Sequence, residues 1–525
     1  MQLMKKLFTT LFVFSALMSN AQNVVNYGML GNTTNLVSNP SADPMTSFHL
    51  GYAHFYQDLN FGLTAGDLFA GSEGILGNLS ALDQDFFSIS NELHIDAMSL
   101  GVKIGKNYLY AGTQLDLWTR LDVDLDMMRF AYSGMADNQG NFDPNYVGDF
   151  SDFGLSQDVI GTAYIGFQRS FLENRLRIGA AYNRHMYYSG ARMVANELSL
   201  TSSPQTNGLV ALDVGLDVDI ISSNLLEQSN ITDLSMDSLF EKVIHLDKDG
   251  KPNIVPQKFL SNPMAVSNSF NFGITARPIK LLELSFNING FGGSGFTGLG
   301  DARHNLKESK NIGGFSYTSQ PGDTIADEIN NAIAEYIDEL DSVNTTVYYQ
   351  TPSVGYDVVL PQTIQGAMNC YFGKRSYIGA HYISRSNSVR DYDYLGFNAF
   401  WWCAKQLQVK AGYYTALDEI NADFLNLALQ FRLTPVIQVF VGTRSVMDFA
   451  TIGDELMSSD VDLGNLAPTD FVVPSDFSNV HLTAGASLAL FDKRFKDEKN
   501  ARKEAKAAKK AKEVKELTPA QEVQE

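Results

Sequence analysis

The chain has 525 residues, 44% of them hydrophobic and 11% aromatic, with 42 Gly and a formal net charge of −20. A total of 23 Tyr and 34 Phe against 15 Pro favours strands over helices. The acidic balance excludes nucleic acid as a partner, because phosphate contacts need clustered Lys and Arg, and no basic patch occurs before the last thirty-odd residues.

Residues 1–21 read as a secretory signal peptide: Lys5 and Lys6, an apolar run from Leu7 to Met18, and a small residue, Ala21, at the expected cut. The run is shorter than the about 20 residues a membrane helix needs. No later segment offers an uninterrupted apolar run of that length, which leaves a soluble exported protein or a membrane barrel. Residues 22–46 are expected to form a periplasmic or plug segment, 47–492 the barrel, and 493–525 a basic, helix-prone periplasmic tail. A first strand is expected near 47–64.

Six hairpins follow, each made of two alternating runs joined by a tight corner. The corners are Gly105-Lys106-Asn107, Glu173-Asn174-Arg175, Pro278 to Lys280, Gly373-Lys374-Arg375, Ala404-Lys405-Gln406 and Leu433-Thr434-Pro435. In the third, Phe270, Phe272, Ile274, Leu284, Phe286 and Ile288 share one face, opposite Asn271, Gly273, Glu283, Asn287 and Asn289. In the last, Leu425, Leu427 and Leu429 oppose Asn426, Ala428 and Gln430. Each apolar face continues for about the nine to eleven residues that a tilted strand needs to cross a bilayer.

Long connections are expected at 121–156, 190–263, 293–359 and 448–478. Short corners on one side and long loops on the other are the asymmetry of outer-membrane barrels. With a last strand near 479–491, the count is about fourteen, or sixteen if residues 192–221 add a hairpin. A soluble sandwich would also alternate. Against it, Gly112, Gly179, Gly273, Gly379, Gly396, Gly412 and Gly442 recur on the polar face, as suits a curved wall around a watery or plugged lumen. The fold class is therefore all-β, a transmembrane antiparallel β-barrel, with inward positions expected to tolerate charge and outward ones to reject it. The lumen-lining candidates are Gln114, Asp116, Asn183, His185, Glu283, Asn287, Asn369, His381, Lys410, Gln430, Arg432 and Arg444.

Cys370 and Cys403 lie on apolar strand faces and read as inert thiols rather than a disulfide. Two long loops carry helical periodicity. One has Ile325, Ile329, Ile333, Ile337 and Leu340; the other has Leu234, Leu239, Phe240, Val243 and Ile244. They read either as a lid over the barrel mouth or as a purely structural cap.

Motifs for chemistry are weak. Gly290-Phe291-Gly292-Gly293-Ser294-Gly295 follows a strand but no helix pattern follows it, so it reads as a loop rather than a dinucleotide site. Asp247-Lys248-Asp249-Gly250 lacks the Glu that closes a calcium loop. Asp122, Asp124 and Asp126 read as a solvated rim, or as a divalent-ion site near lipopolysaccharide. The eight His are dispersed, and neither a His-Glu-x-x-His motif nor a Gly-x-Ser-x-Gly elbow is present. The chain reads as a non-enzyme with no cofactor and no metal.

The final strand, HLTAGASLALF, ends on Phe491, a terminal aromatic that resembles the insertion signal of outer-membrane barrels. Here a tail follows it, with eleven Lys or Arg against four Asp or Glu between Lys493 and Lys515. Asn39-Pro40-Ser41-Ala42, just before the first strand, resembles the Asn-Pro-Ala element of barrels of the long-chain fatty-acid transporter type. SNPSADPMTSFHLGYAHF, DAMSLGVKIGKNYLYAGTQ and DVIGTAYIGFQRSFLENRLRIGAAYN, taken with the basic tail, are similar to a family of uncharacterised outer-membrane proteins from the Bacteroidota. That resemblance implies a barrel of about fourteen strands and no established activity.

The function expected is passive uptake or channelling of a hydrophobic or amphipathic small molecule across the bacterial outer membrane. The other reading is an accessory barrel of a secretion or gliding assembly. Membrane lipid and lipopolysaccharide would surround the wall, and the tail would contact a periplasmic protein or peptidoglycan.

Overall fold

The computed structural model describes residues 25, 27–60, 86–133, 135, 143–205, 209–224, 263–300, 302–316, 346–349, 355–372, 376–389, 391–404, 406–417, 423–434, 436–446 and 479–490. The signal peptide, Asp247–Gly250, both stretches with helical periodicity, Phe491 and the basic tail lie outside them.

The alternating runs form strands throughout. Strand β1 spans Phe48–Asn60, β2 Phe86–Ile104, β3 Asn107–Asp124, β4 Val147–Asp149, β5 Gly154–Phe171, β6 Leu176–Pro204 and β7 Leu209–Ser223. Next come β8 Ala265–Ile279, β9 Leu282–Phe291, β10 Phe296–Leu299, β11 Ala302–Ser316, β12 Thr346–Tyr349, β13 Tyr356–Val358 and β14 Gln362–Phe372. The last six are β15 Ser376–Ser386, β16 Tyr392–Ala404, β17 Leu407–Ala416, β18 Phe424–Arg432, β19 Ile437–Thr443 and β20 Asn479–Leu490.

Fourteen of these strands close a ring, each antiparallel to its neighbours: β1, β2, β3, β5, β6, β8, β9 and β14 to β20. The ring shuts between β1 and β20, from Phe48 opposite Leu490 to Asn60 opposite Asn479. Closure leaves no unpaired edge in the bilayer, where an orphaned backbone group would cost several kcal/mol. The third corner falls at Lys280 and Leu281, so β8 runs on through Pro278.

The two faces carry opposite chemistry, inverted relative to a soluble protein. Outward, Ile165 is 59% exposed and Phe286 46%, and Leu109, Phe272, Ile274, Ile378 and Phe397 join them in an apolar belt. Inward, Asn287 is fully buried, as are Thr363, Gln365, Lys410 and Gln438 to within 2%. Lipid is therefore the solvent of the apolar face, and the chain is a transmembrane barrel. Among the described residues, no helix is long and apolar enough to cross a membrane. Cys370 and Cys403 are both exposed and free.

Three of the long connections carry structure of their own. β6 continues past the ring, so its residues 190–204 pair with β7. β7 then pairs with β11, and β11 with β12. Residues 192–221 thus do form a hairpin, but it rises above the wall as a ribbon, and the ring holds fourteen strands rather than sixteen. A short helix, α2 (Leu125–Ser133), follows β3. The backbone N–H groups of Asp126 and Met127 donate to Asp124 Oδ1 at 2.7 and 3.1 Å, so Asp124 caps this helix. Asp122 accepts from Arg120, and Asp126 from Arg129. Gly290, Gly292 and Gly295 all have positive φ, and their segment is the turn that leads from β9 into β10. β10 pairs with β13 as a separate two-stranded sheet.

Candidate functional site

The interior of the barrel is occupied by the described segment that precedes β1. Gly28 and Gly31 hold φ of 77° and 73°, which lets residues 27–34 turn tightly inside the wall before a four-residue helix, α1 (Asn35–Ser38). Asn39 Oδ1 then accepts from Ser41 N at 3.0 Å and Ser41 Oγ at 2.7 Å, an Asx turn that fixes the Asn-Pro-Ser-Ala corner. Wall glycines make room for this segment. A Cβ on Gly179 would overlap the Pro40 carbonyl, and one on Gly442 would come within 2.6 Å of Val25 Cγ1.

Wall side chains hold the plug largely by its carbonyl oxygens. Lys410 Nζ donates to Val25 O at 3.1 Å, Gln438 Nε2 to Gly31 O at 3.2 Å and Asn271 Nδ2 to Val37 O at 3.2 Å. Asn287 and Asn289 both donate to Ser38 O at 2.7 Å, and Arg177 Nε donates to Ser41 O at 2.9 Å. Ser41 Oγ lies 2.7 Å from Thr275 Oγ1, and Tyr27 stacks on His381 with ring centroids 4.2 Å apart. Apolar contacts add to these bonds: Val25, Met29 and Leu30 pack with Tyr371, Tyr377 and Phe400, and Leu36, Val37 and Ala42 with Tyr108, Tyr110 and Tyr164.

The plug leaves a cavity on each side. Near the short corners, about 380 Å³ is lined by Tyr27, Asp43, Arg177, Glu283, Asn369 and Tyr371. Toward the long loops, about 110 Å³ is lined by His54, His94, Asp116, Asn183, His185 and Ser269. An apolar cluster packs at that end, with Trp118, Ile160 and Tyr187 of the wall against Phe296, Leu299, Val358 and Leu360 of the β10/β13 sheet and its flank. Across the upper lumen, Arg385 Nη1 meets Glu92 Oε2 at 2.7 Å.

Residues 40–443 match the model of a single protein family. The chain belongs to this family, a family of unknown function (DUF5723). Among curated proteins, none matches the sequence. The fold is similar to a solved mutant of the monoaromatic hydrocarbon channel TodX, at 10% identity over 87% of this chain and 94% of that one, with a TM-score of 0.41. It is similar to the Ralstonia pickettii toluene transporter TbuX, at 7% identity over 84% and 88% of the two chains and a TM-score of 0.34. A Pseudomonas aeruginosa FadL homologue shows 10% identity over 90% and 99%, with a TM-score of 0.35. Likenesses of this degree say nothing about cargo.

All twelve inward residues named from the sequence are buried or half-buried in the DUF5723 barrel, but they do not make one site. Gln114, Asp116, Asn183 and His185 border the upper cavity, and Glu283 and Asn369 the lower. Asn287, His381 and Lys410 touch the plug. Arg432 donates to Gln438 Oε1 at 3.2 Å, Arg444 pairs with Asp58, and Gln430 is buried in the wall.

Sequence reasoning missed His54, Glu92, His94 and Asp96, which the fold brings to the upper lumen. The reason is local. The inward residues of β1 are His49 and Gly51 up to a register shift between Tyr52 and Phe55, and His54, Tyr56 and Asp58 beyond it. A second shift, between Asp96 and Met98, does the same on β2. Strict alternation outward from the corner at Gly105 would send His94 and Asp96 to lipid. A bulge inserts one residue and reverses the faces beyond it.

Proposed function

We propose that this barrel lies in the bacterial outer membrane and passes a small amphipathic molecule, with residues 25–46 as the gate. One observation carries the reading: the plug meets the wall through side chains, by bonds to its carbonyl groups and by apolar packing, with a cavity on either side. Water can replace such bonds, so each neutral one is worth about 0.5–1.5 kcal/mol net, and those from Lys410 and Arg177 about 1.5–3 kcal/mol. The wall's backbone ladder is complete without the plug, so the segment can move without opening the ring. A described lumen lined by Asn, Gln, His and Arg is not a continuous apolar passage. It suits a cargo that carries a polar group, while the aromatic and aliphatic cluster at the mouth suits that cargo's apolar part.

The occlusion itself favours a second reading, a permanently closed barrel that serves an assembly. The two separate in proteoliposomes. Ser41→Cys with Thr275→Cys, in a Cys370→Ser, Cys403→Ser background, should lock the plug when oxidised and restore uptake of small amphipathic solutes when reduced. If neither the reduced protein nor a chain lacking residues 22–46 admits any solute, the closed reading holds.

A further inference from the structure

We propose that His54, His94 and Asp96 form a binding site for one divalent first-row transition-metal ion, such as Zn2+, in the upper lumen. The site is independent of whether the plug moves.

Three strands assemble it. His54 on β1 stands opposite Asp96 on β2, and Asp96 and His94 stand opposite Gln114 and Asp116 on β3. His54 Nδ1 lies 2.6 Å from Asp96 Oδ2, and His94 Nε2 lies 3.2 Å from Asp96 Oδ1. One ligand atom from each of the three residues therefore falls in a common space, all within 4.8 Å of one another. An ion at about 2.0–2.2 Å from imidazole nitrogen and carboxylate oxygen fits between them after a small opening of the pairs.

The outer atoms are already occupied as metal ligands require. His94 Nδ1 lies 2.7 Å from Asp116 Oδ1, a carboxylate behind the imidazole that fixes its tautomer and raises the basicity of Nε2. His54 Nε2 lies 3.3 Å from Thr483 Oγ1, and Gln114 Nε2 donates to Asp96 Oδ1 at 2.8 Å, which holds the carboxylate in place. Both imidazoles thus present one nitrogen to Asp96 and anchor the other. Any proton shared at the inner nitrogens leaves as the ion enters.

Two further observations separate this arrangement from a plain hydrogen-bonded cluster. The inward aim of His54 and of the His94–Asp96 pair follows the two bulges, one on each of two neighbouring strands. A bulge gives up regular ladder pairing and commonly re-aims a side chain at a site. Charge is the second. Asp96 is buried and Asp116 nearly so, and among the described residues their ion-pair partners are His54 and His94, with no Lys or Arg. A dication can take over from protonated imidazole the balancing of these two carboxylates as the ring protons leave. Two imidazoles and one carboxylate select a late first-row ion over Ca2+ or Mg2+, which prefer all-oxygen shells. The adjoining cavity of about 110 Å³ leaves room for water to complete the coordination.

The test uses the full chain, purified in detergent without a polyhistidine tag, stripped with a chelator and titrated with Zn2+ or Co2+. The expected result is one ion per chain, with affinity reduced at least 100-fold in Asp96→Asn and in His94→Gln. Each variant is to be checked for the heat-modifiable gel band of a folded barrel. X-ray absorption of the zinc-loaded wild type should show two imidazoles in the first shell, a readout that does not depend on any variant folding. Absence of stoichiometric binding, binding unchanged in the folded variants, or a shell without imidazole scattering would overturn the proposal.

Discussion

Arg385 on β15 meets Glu92 on β2, although the two strands stand seven places apart in a ring of fourteen. The pair therefore joins opposite walls of the barrel, and Asn387 Nδ2 adds a second bond to Glu92 Oε1 at 2.8 Å. Side chains span the lumen at this level, so the barrel is not a wide aqueous pore. Arg385→Met should destabilise the barrel by about 3–5 kcal/mol, because it leaves Glu92 buried and unpaired. Arg385→Met with Glu92→Leu should recover part of that loss. The denaturant midpoint of the heat-modifiable band measures both, and equal loss in the single and double variants would show that the pair is not the cause.

The outer face near mid-membrane should reject charge. Leu427→Arg is expected to cost about 2–4 kcal/mol in a refolding titration. The structure changes the expectation for its neighbour: Asn426 is 1% exposed and packs beside Gly412. Asn426→Arg should therefore also destabilise, by overpacking at about 1–3 kcal/mol, rather than pass unnoticed as it would in an open lumen.

Gly179 is the wall position that the plug corner needs empty. Gly179→Val should displace Asn39–Ala42, because the clash is with the Pro40 backbone and not with a flexible side chain. The expected signature is a Ser41→Cys that becomes reactive to a periplasmic-side maleimide while the ring keeps its gel mobility. An unreactive thiol would show that the corner adapts in place.

The ribbon above the wall should be acid-sensitive. Lys307 and Asn305 bond Asp217 and hold its carboxyl below the usual value. Burial would raise Asp219, yet hydrogen bonds from Arg303, Asn196 and Asn305 leave it lowered. A carboxyl depressed on folding contributes stability above its unfolded value of about 4 and loses it as pH falls through the folded one. Amide exchange in β7 and β11 should be constant from pH 7 to 5, after correction for intrinsic rates, and should accelerate below about pH 4 while the barrel strands stay protected. Asp219→Asn should remove part of the change.

Period-two alternation and corner residues are local properties, and they were enough to assign six hairpins, the lipid face and a ring of about fourteen strands, with sixteen left open. Phe270 to Ile288 shows why: each side chain's face follows from its neighbours alone, and lipid rewards the same face on every strand. The sequence also carries the plug's Asn39-Pro40-Ser41-Ala42 corner, whose Asx turn needs only adjacent residues. Tertiary structure decided the rest. A bulge is one extra residue without a compositional mark, so the inward turn of His54, His94 and Asp96 exists only once β1, β2, β3 and β20 are in register. Whether residues 192–221 join the wall or rise above it depends on β8, which takes the ring place beside β6. Contacts such as Arg385 with Glu92, or Lys410 with Val25, join residues hundreds of positions apart. Those distances are set when the ring closes, and no local pattern along the chain encodes them.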